Sequence, residues 1–238
     1  MSAFRPRAFE RLAYSSGGLS LAPISFRHAG FRGGAMPPRG AVTKRTVDIV
    51  LSLAFLTLLC IPMLMIAAAI RVSSRGPVLF RQERIGLNGS RFTMLKFRTM
   101  RHAPDTPGRC PQATRRDPRV TPLGAWLRRT SFDELPQLLN VLAGTMSLVG
   151  PRPHAPGTCA AGRPFEAVSH RYAARHCVKP GLTGLAQIRG WRGETDTEEK
   201  LLRRIDSDLE YIATRSLGRD LLIIGRTIVT VPRMPNAY

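Results

Sequence analysis

From Ile49 to Ile70, twenty-two consecutive residues, IVLSLAFLTLLCIPMLMIAAAI, carry no charged side chain. As a helix rising about 1.5 Å per residue, this run reaches roughly 33 Å, enough to cross a hydrocarbon core of about 30 Å. It reads as a membrane segment, and soluble nucleic-acid-binding proteins seldom carry one. Lys44 and Arg45 precede the run and Arg71 and Arg75 follow it, so the preference of basic flanks for the cytoplasm assigns neither end to the outside. Pro62 lies within the run, lacks an N–H and clashes with the carbonyl one turn earlier, which predicts a bend. The arms Ile49–Ile61 and Met63–Ile70 would then be about 20 and 12 Å long, close to the depth of one leaflet. Two readings stay open: a re-entrant hairpin with both ends cytoplasmic, and a single span with a tolerated proline kink. Asp48 is expected at the membrane edge, paired with Arg45 or simply interfacial.

The chain has 238 residues, 43% of them hydrophobic, which suits one domain with appendages and excludes a wholly disordered chain. Its net charge of +20 requires an anionic partner: nucleic acid, an anionic lipid leaflet or a phosphorylated substrate. Charge alone does not choose among them. The four cysteines form no CxxC, which favours neither a zinc ribbon nor a disulfide scaffold, and a reducing, cytosolic setting is expected. Residues 1–43 carry six Arg against Glu10 and no sustained apolar period. They read as a flexible basic tail without the apolar stretch of a secretory signal.

From about Ser73 onward the pattern is that of one compact domain. Leu87-Asn88-Gly89 separates PVLFRQERIG from SRFTMLKFRTM, a strong hairpin signal. Phe92, Met94, Lys96 and Arg98 would share one face of the second strand. Residues 101–119 form a proline-rich basic loop. Leu135, Leu138, Leu139 and Leu142 follow the spacing of one helix face, and Leu201, Leu202, Ile205, Leu209 and Ile212 that of another. Asp220–Val231 is nearly all apolar, as either core or a helix lying on lipid.

Residues 81–130 concentrate the charge, with 12 Lys or Arg and 3 acids, and directly after them comes Ser131-Phe132-Asp133-Glu134-Leu135-Pro136. A structural reading makes Ser131 the N-cap and Glu134 the third residue of a capping box. A chemical reading keeps both carboxylates ionised in a basic pocket, one attacking phosphorus and the other helping to hold a divalent cation. In Val149-Gly150-Pro151-Arg152-Pro153, two prolines would fix a guanidinium suited to phosphate, unless it is a solvated surface turn. Lys179-Pro180-Gly181-Leu182-Thr183-Gly184 is a weak candidate for a loop offering backbone N–H groups to a phosphate. The five histidines, His28, His102, His154, His170 and His176, have no metal-ligand spacing. Trp126 and Trp191 read as packing or interfacial residues.

Taken in order, SRGPVLFRQERIG, FTMLKFRTM, DPRVTPLG, LRRTSFDELPQLLNVLAGTMSLVGPRP, VKPGLTGLAQIRGWRGETDT and DLEYI resemble the bacterial sugar transferases. These are the monotopic polyprenyl-phosphate phosphoglycosyl transferases that begin exopolysaccharide, capsule or O-antigen assembly. The resemblance runs from about Lys44 to the C-terminus and leaves the tail outside it. GWRGETDT is similar to the subgroup that starts on glucose or galactose phosphate, and Phe132 stands where Leu is commoner before the acid pair.

The resemblance implies an α+β chain in three parts: the tail 1–43, a re-entrant membrane helix over 44–72, and a small, mostly helical cytoplasmic catalytic domain with a β-hairpin over 73–238. It implies Asp133 as nucleophile, with Glu134 beside it assisting Mg²⁺, so that both acids are expected at the metal. Arg128 and Arg152 are expected on substrate phosphate, and Lys96 and Arg98, on the same strand face, are expected to join them. The implied partners are a nucleotide sugar, such as a UDP-hexose, polyprenyl (undecaprenyl) phosphate and anionic inner-leaflet lipid, with no nucleic acid. The implied place is the bacterial inner membrane, with the catalytic domain facing the cytoplasm. A competing class is a non-catalytic, basic, monotopic membrane-binding module; another is a transferase that forms a glycosidic bond and releases UDP rather than UMP.

Overall fold

The structure is a computed structural model that describes residues 38–101 and 117–230. The tail up to residue 37, most of the proline-rich basic loop, and His28, His102 and Cys110 lie outside the described residues. Helix α1 (Pro38–Leu58) begins within what the sequence suggests is tail, and α2 (Cys60–Ser73) continues it after a bend of 62°. The break falls at Leu59, three residues before Pro62. A proline needs the carbonyl four residues back to move away, here that of Leu58, so the direction changes just ahead of the ring. Pro62 itself sits in the first turn of α2, where a missing N–H costs least. Among the described residues no single helix is long and apolar enough to cross a membrane, whereas the bent pair together is.

After α2 the chain forms the expected hairpin, β1 (Leu79–Ile85) and β2 (Arg91–Phe97), antiparallel with Gln82 opposite Met94 and Phe80 opposite Lys96. Asn88 and Gly89 take φ of 53° and 75°, which Asn and Gly tolerate best. Helix α3 (Pro122–Thr130) is capped by the Thr121 hydroxyl, which accepts from Gly124 N at 2.9 Å. It packs Leu127 against Ile66, Ile70 and Phe97, so α2, β2 and α3 share one small core.

The larger core gathers Met94, α4 (Gln137–Leu142), β3 (Ser147–Val149), α7 (Glu198–Thr214) and α8 (Leu217–Thr230). Between them lie the short β4 (Cys159–Ala160) and β5 (Arg163–Pro164), α5 (Phe165–Val168), β6 (Gly181–Thr183) and α6 (Leu185–Ile188). Strand β6 runs parallel to β3. Helices with three two-stranded sheets make an α+β architecture, as expected. The α7 face is as predicted except that Leu202 is exposed. On α4 the leucine spacing misleads: Gln137, Leu138, Asn140 and Val141 are buried and Leu139 is exposed. The helix starts only after Pro136, so Leu135 belongs to the preceding turn and is out of phase.

The root of α1 is built into the domain. Asp48 accepts from Ser147 Oγ at 2.8 Å and from Leu148 N at 3.2 Å, and pairs with Lys44 at 3.4 Å. Lys44 also reaches Asp220 at 2.7 Å, and Tyr211 Oη donates to Asp220 at 2.8 Å and lies 3.1 Å from the Val149 carbonyl. Arg45, expected to pair with Asp48, instead donates to the carbonyls of Val141 and Leu142 at the end of α4, where a cation complements the helix dipole. Cys60 and Cys177 are free thiols.

Candidate active site

Ser131 adopts a left-handed conformation (φ 62°), and Phe132–Glu134 form a single 3₁₀ turn instead of the first turn of α4. The capping box therefore does not form: the Ser131 hydroxyl caps nothing and accepts from Arg192, while the Glu134 side chain turns toward β2 and Arg152. This conformation sends two sequence neighbours into different environments. Glu134 Oε1 accepts from Lys96 Nζ at 2.8 Å and from Arg152 at 2.5 Å, and Oε2 accepts from the other arm of Arg152 at 3.1 Å. Asp133 is buried, yet no described residue donates a hydrogen bond to its carboxylate, and the Lys96 ammonium lies 3.9 Å away.

Their electrostatics separate accordingly. Burial and the neighbouring Glu134 raise Asp133 above the ordinary carboxylate range, against the pull of Lys96, Arg128 and Arg152. Burial pushes Glu134 the same way, but there Arg152 and Lys96 win and hold it well below that range. Burial lowers Lys96, and the two acids resist that shift. One carboxylate is thus firmly ionised and spent on cations, while the other keeps its oxygens available.

Each cation is placed by backbone engineering elsewhere. Asn140 on α4 pairs with β2 as a strand would, accepting from Leu95 N at 2.9 Å and donating to the Thr93 carbonyl at 2.8 Å, which fixes the register that presents Lys96. Arg128 on α3 donates to Thr99 Oγ1 at 3.1 Å and acts on Asp133 through its charge. The Pro151–Pro153 turn carrying Arg152 is held from behind: Arg175 donates to the Arg152 carbonyl at 2.7 Å and forks onto buried Asp208. His154 lies between Arg175 (2.8 Å) and Arg204 (3.2 Å), so burial and both guanidinium groups keep its pKa far down and the ring neutral.

The structure therefore brings Lys96, Arg128, Asp133, Glu134 and Arg152 together, and it does not bring Arg98. That guanidinium donates to the carbonyls of Ser74 and Arg75 and to Ser74 Oγ, where it fastens the end of α2. Arg98 follows the end of β2, so strand alternation no longer fixes its direction. Nor is the first glycine of the Lys179–Gly184 loop open to a ligand. Gly181 N donates to the Pro151 carbonyl, and a methyl group on Gly181 would come within 2.1 Å of Gly150 N. The glycines are there because two backbones abut.

Two site residues had no assignment in the sequence. Arg84 faces the same side as Lys96, donates to Gln82 and to the Pro153 carbonyl, and is pushed down to about 10 by burial and by Arg152. Strand alternation alone, 84 to 82 and across to 94 and 96, contained the signal. Arg192 arrives from a distant loop; it lies within GWRGETDT, a segment that the sequence singles out without giving this arginine a role. Among the described residues no group of three or more His, Cys, Asp or Glu is placed to hold a metal. Both Glu134 oxygens are taken by Lys96 and Arg152, so of the two acids only Asp133 presents carboxylate oxygens to which no described residue donates.

A family model described as bacterial sugar transferase matches residues 39–234. Among curated relatives, a UDP-glucose:undecaprenyl-phosphate glucose-1-phosphate transferase of Caulobacter vibrioides is 52% identical over 210 residues, covering 87% of this chain and 77% of that protein. The protein of the same description from Escherichia coli K12 is 49% identical over 185 residues, 78% of this chain but only 39% of its own length. The exopolysaccharide production protein PSS of Rhizobium leguminosarum bv. phaseoli is 48% identical over 189 residues, 79% of this chain and 94% of that one. With a model match over nearly all described residues and relatives near half identity, the chain belongs to the bacterial sugar transferase family.

Proposed function

We propose that this chain is a phosphoglycosyl transferase that moves a sugar 1-phosphate from a nucleotide sugar, a UDP-hexose, onto undecaprenyl phosphate and releases UMP, an initiating step of exopolysaccharide synthesis. The observation that carries the reading is the division of labour between adjacent acids: Glu134 is neutralised by Lys96 and Arg152, while Asp133 accepts no hydrogen bond from any described residue. An anionic oxygen among cations, without a donor to quench it, is what an attack on a phosphorus atom requires.

In this mechanism Lys96, Arg84, Arg128 and Arg152 receive the diphosphate and offset charge as it shifts to the leaving group. An Asp133 oxygen forms a bond to the sugar-proximal phosphorus, and the bridging P–O bond breaks with its electron pair departing on UMP. An oxygen of the lipid phosphate then attacks the same phosphorus and restores the Asp133 carboxylate. Asp133 would hold Mg²⁺, joined by Glu134 once the diphosphate draws Arg152 away from that acid, and the ion when bound would add positive charge at the diphosphate. Both substrates are polyanions, which accounts for the basic charge without nucleic acid.

We further propose that the bent pair is the membrane anchor, re-entrant in the inner leaflet of the bacterial cytoplasmic membrane with the catalytic domain on the cytoplasmic side. Leu53, Leu58, Ile61, Leu64 and Met65 are all at least half exposed, an arrangement that costs much in water and nothing in lipid. The apolar arms on either side of Leu59 are each about 15 Å long. If each takes half of the 62° bend, the vertex sits about 8 Å below the ends, well inside one leaflet. Leu221, Leu222, Ile228 and Val229 on α8 are likewise exposed and suit an anionic lipid surface together with Arg226.

The deciding experiment incubates the protein with UDP-glucose and Mg²⁺ without lipid acceptor, then digests it for mass spectrometry. A hexose-phosphate adduct on Asp133 with release of UMP is expected; an active protein that releases UDP, or never shows the adduct, refutes the mechanism.

A further inference from the structure

The loop that follows α6 is held by one buried side chain. Arg204 on α7 donates from Nε to the Trp191 carbonyl at 3.0 Å and from a terminal nitrogen to the Gly193 carbonyl at 3.1 Å, so it grips the peptide on either side of Arg192. Gly193 takes φ 89°, a turn that a larger residue would resist. With its backbone fixed at both shoulders, Arg192 extends to Ser131 Oγ, two residues before Asp133. Its charge also reaches Glu134 and helps keep that acid ionised. A planar guanidinium beside a nucleophile suits phosphate oxygens.

We propose that Arg192 is a substrate-binding residue that exchanges Ser131 for the diphosphate of the nucleotide sugar, with Arg204 as its positioning residue. Arg192 acquires this role only if the chain transfers sugar phosphates, so turnover of UDP-glucose by the wild-type protein is the control.

The test measures UMP release in lipid nanodiscs with undecaprenyl phosphate. It is paired with calorimetric binding of UDP-glucose on an Asp133→Asn background, where no transfer intervenes. Arg192→Ala should raise the KM for UDP-glucose by about tenfold or more and weaken binding by a similar factor, as loss of a charge-assisted hydrogen bond predicts. Arg192→Lys should recover only part of this, because the fork is lost. Arg204→Lys should shift KM in the same direction with a smaller effect on kcat, a split that simple loss of stability does not produce. Ser131→Gly keeps the left-handed turn and removes the hydroxyl, and should leave KM within about twofold of wild type. A wild-type KM and affinity in Arg192→Ala overturns the inference. So does a Ser131→Gly variant that reproduces the Arg192→Ala defect, since Arg192 would then only hold the turn. If UDP-glucose binds but UMP is never released, the transfer reading fails while the binding arm still judges Arg192; if the wild type binds no UDP-glucose, both fail.

Discussion

Replacing Asp133 by Asn should abolish turnover and at the same time make the protein more stable. The carboxylate is 7% exposed, accepts no hydrogen bond from a described residue, and shares its ammonium partner with Glu134. With an effective dielectric near 20, Lys96 attracts Asp133 at 3.9 Å by about 4 kcal/mol and Glu134 at 2.8 Å by about 6 kcal/mol. The variant loses the first term together with the pull of Arg128 and Arg152; against these stand several kcal/mol for desolvating an ionised carboxylate and the repulsion from Glu134. Burial and Glu134 raise the pKa of Asp133 in the fold, so the balance lies against the charged form. Removing the charge should therefore stabilise by about 1 kcal/mol, or roughly 2–4 °C in Tm for a domain of this size. The sign has a pH signature. An acid whose pKa is raised on folding contributes fully below its unfolded value, and that contribution is lost as pH rises through the folded value. The two proteins should thus melt alike below about pH 4 and diverge toward neutrality. Thermal melts in one detergent across pH 3.5–8 check this. An Asn variant less stable than wild type at pH 7 would show that the fold welcomes the Asp133 charge, and the argument for an available nucleophile would fall with it.

Glu134→Gln is the counter-case: it strips the partner from Lys96 and Arg152 and should cost about 3–5 kcal/mol at neutral pH along with activity. Because the Glu134 pKa is depressed in the fold, that cost should begin to shrink as pH falls below its unfolded value of about 4 and go on shrinking down to its folded value, which melts carried below about pH 3.5 would show. Gly124→Ala would set a methyl 2.0 Å from the Thr99 carbonyl and should destabilise by about 1–3 kcal/mol or more, while displacing the partner of Arg128 and lowering kcat. For the anchor, single cysteines at 43 and after Arg75, in a background lacking the native cysteines, should both be labelled only from the cytoplasmic side. Pro62→Leu should move the segment toward spanning, and labelling from opposite sides in the otherwise native segment refutes the re-entrant seat.

What the sequence made legible was whatever depends on near neighbours. Asn88-Gly89 specifies the hairpin because few other residues accept positive φ, and Pro62 announces the bend because its ring forbids a straight continuation. The acids at 133 and 134 stand out in the sequence through the company they keep. What depends on distant backbone was misread. The leucine spacing from 135 to 142 counted a helix that Pro136 delays, and the capping box failed because Ser131 turns left-handed. The glycines at 181 and 184 mark a backbone contact, a meaning visible only when Gly150 is beside them. Asp48 passed over Arg45, three residues away, for a serine and an amide about a hundred residues along the chain.

That last arrangement makes α1 a bracket rather than a leash. A helix tied to its domain by a single covalent link would let the domain swing over a surface through a wide range of tilts, and a reactive group would visit the height of a phosphate headgroup only part of the time. Here Lys44, Arg45 and Asp48 fasten one turn of helix to α4, to β3 and to α8. Only three residues separate Leu148, which Asp48 holds, from Arg152. The orientation of α1 and the orientation of the Arg152 guanidinium are therefore a single rigid-body variable, and a change in how the helix is seated tips the cation cluster by the same angle.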